Sequence, residues 1–326
     1  MEPSSQIITR EQLKTEAQRL GFSACGVARA EPVDTTHARA FHEWLSSGNH
    51  ASMSYMENNI DKRLDPRLLL PGAYSIIVVA LNYFPRRRLH PSQLQFAYYA
   101  YGHDYHDVMR RKLQALADTL TGSNTHQPTS SPAYKVCCDT VPMLDRYWAW
   151  KAGLGWIGKN TNFIIPHAGS FFFLGEIITT CSFDSYDQPM EEHCGSCDRC
   201  LRACPTHALT TTPVNQGQST WGTLDARRCL SYLTIENRDS IPSDLQSALG
   251  NYVYGCDRCQ LACPYNRFAT PTQTDEFTPS DQFLSMTVDD WRQLDVDTYR
   301  QLFKGSAVKR AKYEGLLRNI QTVDGK

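Results

Sequence analysis

A chain of 326 residues, 41% of them hydrophobic, can bury two or three separate cores, which excludes a small fold held together only by staples. Its formal net charge of −1 excludes an overall basic field that would draw nucleic acid, leaving only local patches for that purpose. No stretch reaches the roughly 18 to 20 consecutive apolar residues of a membrane span, and the polar opening MEPSSQIITREQLK lacks a signal-peptide core.

Taken in chain order, Thr9 and Gln12 fit a capping box ahead of a helix that carries Leu13, Ala17 and Leu20 on one face and stops at Gly21. GFSACGVARA then reads as a strand, and the continuous apolar run SIIVVALNYF (75–84) as a strand buried on both faces. DYHDVMRRKLQALADTL (104–120) places Met109, Leu113, Leu116 and Leu120 along one helical stripe. GSNTHQPTSSP (122–132) is a polar loop. YKVCCD (134–139) reads as a strand, VPMLDRYWAWKAG (141–153) as a helix ended by Gly153, and NFIIP and FFFLGEIITTC as two further strands. This order predicts an α/β or α+β domain with a mixed sheet over residues 1–185. Between 186 and 275 the composition shifts to cysteines, short helices and loops, with a polar insert at 210–220. Residues 276–326 read as a helical segment that is basic near its end.

Eight of the twelve cysteines fall between 194 and 263. Without a secretion signal, metal ligation is the economical use for so many thiols, because disulfides are rare in the cytosol. CGSCDRCLRACP (194–205) has the spacing C-x2-C-x2-C-x3-C-P, the ferredoxin run in which three thiols hold one [4Fe–4S] cluster and the fourth crosses to another. CDRCQLACP (256–264) repeats the ending without the first cysteine, and Cys229 is the only thiol between the runs that can replace it. The predicted sets are therefore Cys194, Cys197, Cys200 and Cys263 for cluster one, and Cys204, Cys229, Cys256 and Cys259 for cluster two. A pair of structural zinc sites is the competing reading, but zinc does not account for the three-cysteine spacing and Cys-Pro ending. Cys25, Cys137, Cys138 and Cys181 lie in apolar strand contexts and read as small core residues.

GLGWIG (153–158) matches a dinucleotide fingerprint, but its order is helix, glycines, strand instead of strand, glycines, helix. GLGWIGKN also misses a phosphate-binding loop, because Asn160 replaces the Ser or Thr that would hold magnesium. Close backbone packing explains these glycines better. Asp139, between a strand and a helix, reads either as a helix N-cap or as a proton donor whose burial keeps it protonated.

The segments DPRLLLPGAYSIIVVALNY, AYGHDYH, CDTVPMLDRYWAWKAGLGWIGKNTN and FFFLGEI, with both cysteine runs, make the chain resemble the epoxyqueuosine reductases from SACGVA to GSAVKRAKYEGLLRNI. The resemblance implies an N-terminal cobalamin-binding domain beside a ferredoxin-like domain with two [4Fe–4S] clusters. It further implies reduction of epoxyqueuosine to queuosine at the wobble position of tRNA, with electrons from a low-potential donor passing through the clusters to cobalamin. Asp139 falls in the block that carries the family's proton donor.

Arg63, Lys159, Asn160, Thr161, Ser231 and Tyr232 are, on the same resemblance, expected contacts of the cobalamin, as is Asp139. Lys304, Lys309, Arg310, Lys312 and Arg318 become expected phosphate contacts of the tRNA. A cytoplasmic, monomeric protein without a membrane partner is expected. Two departures stand out: Tyr98 and His103 occupy positions where the family has arginines, and the chain ends soon after LLRNI, where relatives usually continue. The competing functions are a ferredoxin-type electron carrier and a related corrinoid-dependent reductase with another substrate.

Overall fold

The structure, a computed structural model, describes residues 9–121, 133–214 and 219–325; the polar loop at 122–132 lies outside them. Helix α1 (Arg10–Arg19) begins with the expected capping box: Thr9 Oγ1 accepts the Gln12 amide at 3.1 Å, and Gln12 Oε1 accepts the Thr9 amide at 3.0 Å. Strand β1 (Ala24–Arg29) follows, then α2 (Thr35–Ser46), capped by Asp34, and α3 (Ile60–Leu64). Next come β2 (Ser75–Asn82), β3 (Gln95–Phe96), α4 (Tyr105–Thr121), β4 (Tyr134–Cys137) and α5 (Asp145–Lys151). A short hairpin of β5 (Trp156–Ile157) and β6 (Phe163–Ile164) leads into β7 (Phe172–Thr179).

Strands β1, β2, β7 and β4 form one sheet in that order, and every neighbouring pair is antiparallel. The expected mixed sheet is thus corrected to an antiparallel one. Helix α4 does carry the chain from β2 to β4 in the same direction, which is the pattern a parallel pair produces in sequence. But β7 inserts between them and pairs antiparallel with both. Strand β2 is buried on both faces as its composition predicts. Ile77, Val79 and Leu81 join Leu13, Met109 and Leu113 from α1 and α4, while Ile76, Val78 and Ala80 join Trp148 and Ala149 of α5. Met109, Leu113 and Leu116 of the predicted stripe are fully buried.

The cysteine module contains α6 (Arg199–Ala203), a hairpin of β8 (Leu209–Val214) and β9 (Ser219–Leu224), α7 (Leu230–Ile235), α8 (Ser243–Gln246), β10 (Tyr252–Tyr254) and α9 (Arg258–Leu261). The polar insert is therefore largely a hairpin. Its run of β-branched threonines, Thr210 to Thr212, suits a half-exposed strand. β10 pairs in parallel with β3 of the first half. Around that pair, α10 (Asp281–Ser285), α11 (Val288–Arg292), α12 (Val296–Leu302) and α13 (Lys312–Asp324) build a second core, in which Phe283, Trp291, Phe303 and Leu316 surround Phe96 and Tyr254. Among the described residues no helix is long and apolar enough to cross a membrane.

Candidate active site and cysteine module

The eight thiols of the module are all free and fall into two electrostatic groups. Burial pushes Cys200 up to about 11, with further contributions from Cys194, Cys263 and Cys197. Burial likewise raises Cys259, and there the neighbouring thiols are Cys256, Cys229 and Cys204. Short helices α6 and α9 pack together and carry one thiol of each group. Backbone amides point at the sulfurs: Lys159 at Cys194, Leu201 at Cys200, Ser231 and Tyr232 at Cys229, Arg258 at Cys256, and Tyr265 and Asn266 at Cys263. The Ala208 amide donates to Cys204 Sγ at 3.3 Å. Sulfurs that accept such bonds are prepared to carry negative charge, as ligating thiolates do. Among the described residues, no three His, Cys, Asp or Glu side chains close around a point as a single-ion site does.

The GLGWIGKN turn locks onto this module. A Cβ on Gly155 would lie 2.0 Å from the Ile164 carbonyl, so the glycine serves close backbone approach, as the sequence suggests. Lys159 is buried and donates through Nζ to the Gly195 carbonyl and, at 3.2 Å, to that of Cys197. Asn160 is also buried and donates to the Cys259 carbonyl at 3.3 Å. One turn thus grips both cysteine runs. Strand β9 crosses the same turn at Gly222, where a Cβ would fall 2.1 Å from the Lys159 carbonyl. Lys159 and Asn160, expected with Thr161 as contacts of the cobalamin, thus bond cysteine-loop carbonyls.

Asp139 follows β4 with φ +54°, a left-handed backbone that costs a residue other than glycine about 1 kcal/mol and is best tolerated by Asp and Asn. Its Oδ2 accepts the phenolic proton of Tyr105, and His106 Nε2 lies 3.8 Å from the same oxygen. His106 is oriented by Asp104, which meets its Nδ1 at 2.7 Å. The Tyr105 ring stacks on Phe173 at 4.3 Å. Burial, then the Asp139 charge, holds the Tyr105 hydroxyl firmly protonated. The two physical accounts of Asp139 offered by sequence need correction. Leu144, with no side-chain bond, is the N-cap of α5, so Asp139 does not cap it. The Asp139 side chain is also 61% exposed, not buried.

The Asp139 charge acts on Arg63, Tyr55 and Asp145. Arg63 is not a surface charge. It is buried, bonds the carbonyls of Met143 (3.2 Å) and Tyr55 (3.3 Å), and leaves Nε without a partner. Arg146 donates to the carbonyl of Thr161, and the surrounding protein lowers its pKa. Thr161 itself has φ +61°. Tyr232 is bonded to Ser52 Oγ at 2.6 Å, and Ser231 lies half-buried beside it.

Of the basic C-terminal residues, Lys304, Lys309, Lys312 and Arg310 are exposed. Arg310 forms a two-pronged pair with Glu236 at 2.7 and 2.8 Å and lies over the Tyr55 ring, at the rim of the same neighbourhood. Arg318 is different: it is half-buried and donates to the carbonyls of Leu233, Asn237 and Asp239. Tyr105, His106, Asp145, Arg146 and Glu176 were not singled out from sequence. A glutamate inside the apolar run FFFLGEIITT was the one available signal for the last of them.

Residues 63–140 match the family described as "Epoxyqueuosine reductase QueG, DUF1730", and residues 193–266 match the 4Fe-4S double cluster binding domain. An epoxyqueuosine reductase of Cellulophaga algicola is 40% identical over 308 residues, which cover 94% of this chain and 95% of that protein. The chain belongs to the epoxyqueuosine reductase family. Among solved structures, an epoxyqueuosine reductase with a tRNA-Tyr epoxyqueuosine-modified stem loop superposes with a TM-score of 0.82 at 31% identity, covering 96% of this chain and 80% of that one. The Bacillus subtilis epoxyqueuosine reductase with an aspartate-bearing catalytic loop swung out of its active site gives 0.81 at 30% identity, with the same coverage.

Proposed function

We propose that this oxidoreductase reduces epoxyqueuosine to queuosine at the wobble position of tRNA. The observation that carries the reading is 40% identity with an epoxyqueuosine reductase over 94% of the chain, joined in the geometry by a tyrosine-anchored, exposed Asp139. A bare electron carrier has no use for that constellation.

Cysteines 194, 197, 200 and 263 would hold one [4Fe–4S] cluster and cysteines 204, 229, 256 and 259 the other, which is supported by the two electrostatic groups of thiols. Cobalamin would sit beside Asp139, in a domain formed by residues 1–185, with the cluster module over 186–275 and a helical segment over 276–326. The unpartnered, buried Arg63 Nε is a donor suited to an amide or phosphate oxygen of that cofactor, and Thr161, Ser231 and Tyr232 would line its edge. Lys159 and Asn160 would reach the cofactor from the turn that also fixes both cysteine loops. When bound, cobalamin would supply a strongly nucleophilic reduced metal, fed one electron at a time through the clusters from a low-potential donor.

The chain's own residues then handle the proton. Asp139 would protonate the departing epoxide oxygen, with Tyr105 fixing the carboxyl and His106 steadying the loop. The exposed lysines 304, 309 and 312 and Arg310 would meet tRNA phosphates. Expression in a bacterium lacking its own epoxyqueuosine reductase tests the proposal. Nucleosides from its tRNA should show queuosine in place of epoxyqueuosine. Persistent epoxyqueuosine beside accumulated, cluster-loaded protein would overturn it.

A further inference from the structure

Glu176 sits in the middle of β7, opposite Val78 of β2 and Cys137 of β4, on the sheet face covered by α5. Its side chain is wholly buried, and neither carboxyl oxygen meets a donor. What it meets is a second carboxyl, Asp145, at the first position of α5, with Asp139 acting on both. Two carboxylates can only accept; they satisfy each other when one keeps a proton and donates it. Burial first raises the proton affinity of both groups. The Asp145 charge then raises Glu176 further and the Asp139 charge raises Asp145, while the bond to Glu176 draws Asp145 back down, so Glu176 is the member that keeps the proton.

The other titratable groups near the pair leave it in that state. Cys137 of β4 and Cys138 just beyond it are held neutral by burial, while the positive charges of Arg146 and Arg63 face Asp145 and favour its ionised form, which leaves the proton on Glu176. Strand β2 offers only Val78 in register, and α4 packs on the opposite face against Gly175.

Resting on the reductase reading above, the chemistry requires more than Asp139 holds. Converting an epoxide to an alkene breaks both C–O bonds, takes up two electrons from the low-potential donor, and delivers two protons to the oxygen, which leaves as water. One carboxyl carries one proton. We propose that the Asp145–Glu176 pair stores the second proton and passes it to Asp139 after the first transfer, the two residues forming a relay behind the proton donor. A dianionic buried pair is costly, so it refills through the partly exposed Asp145.

The test uses the full chain loaded with clusters and cobalamin, with E176Q as an isosteric variant. Infrared spectroscopy at neutral pH should show a protonated-carboxyl stretch in the wild type that E176Q lacks. On an epoxyqueuosine stem loop, E176Q should lose about 10- to 100-fold in kcat at unchanged KM and flatten the alkaline fall of the pH profile. In E176A, added formate should restore part of the rate. D145N should repeat the loss and decides the matter should E176Q not fold. Wild-type failure to make queuosine would sink the reductase reading itself. An active wild type with E176Q or D145N equal to it across pH, or with no protonated-carboxyl band, would overturn the relay alone.

Discussion

Tyr105 donates its phenolic proton to Asp139 Oδ2, tying the first residue of α4 to the loop after β4 across 34 positions of sequence. The tyrosine is itself fixed by stacking on Phe173, so the bond sets where the carboxyl points. Asp139→Asn should retain both clusters and lose about 10²- to 10⁴-fold in kcat, the range of a general acid. Tyr105→Phe should lose less, about tenfold, with KM for tRNA unchanged, because it frees the carboxyl without removing it. Steady-state kinetics on the stem loop check both. Near-normal turnover by Asp139→Asn would remove it as proton donor.

Lys159 bridges the GLGWIGKN turn to the first cysteine run through the carbonyls of Gly195 and Cys197. Lys159→Met removes the donor while keeping the length of the side chain. Anaerobic reconstitution followed by iron and sulfide assay should give a chain that loses cluster one in preference to cluster two. Full iron content with an unaltered electron paramagnetic resonance spectrum would show that the bridge is dispensable.

The Asp145–Glu176 pair also has a consequence for stability. Both groups bind protons more tightly folded than unfolded, where they titrate near the ordinary carboxylate values of about 4. Their stabilising contribution is therefore complete at low pH and is lost as pH rises through the folded-state values. His106, raised chiefly by Asp104, behaves with the same sign. Comparing Tm between pH 5 and 8 for wild type and Glu176→Gln isolates the pair. The wild type should lose more, by about 2–4 °C for each kcal/mol involved. Parallel Tm curves would mean that the pair does not hold a proton.

The basic C-terminus divides into two kinds of residue. Replacing Lys304, Lys309 and Lys312 with alanine should weaken tRNA binding and flatten its salt dependence by about 0.7 to 0.9 in log–log slope per lost phosphate contact. Arg318→Ala should leave that slope alone and lower Tm, because its guanidinium satisfies carbonyls around α7. Binding curves at several salt concentrations separate the two outcomes.

Much of the layout was legible in sequence because local signals are strong here. The capping box at Thr9, the two-faced burial of β2 and the cysteine spacing all depend on near neighbours. What escaped depends on distance along the chain. The sheet could not be ordered from the helix between β2 and β4, since β7 arrives later and slips between them. Lys159 and Asn160 look like turn residues next to a ligand, and only the fold reveals the carbonyls that claim them. Tyr105 and Asp139 are likewise joined only by packing. Glu176 did carry a local signal, a charge in an apolar strand, but its partner lies in another element.

The most direct test is anaerobic turnover of a tRNA stem loop bearing epoxyqueuosine, with a low-potential reductant, with and without cobalamin, read as nucleosides by mass spectrometry. Queuosine formed only when cobalamin is present is the predicted result. Queuosine formed equally without it, or none from a chain shown to contain both clusters and the corrinoid, would contradict the account.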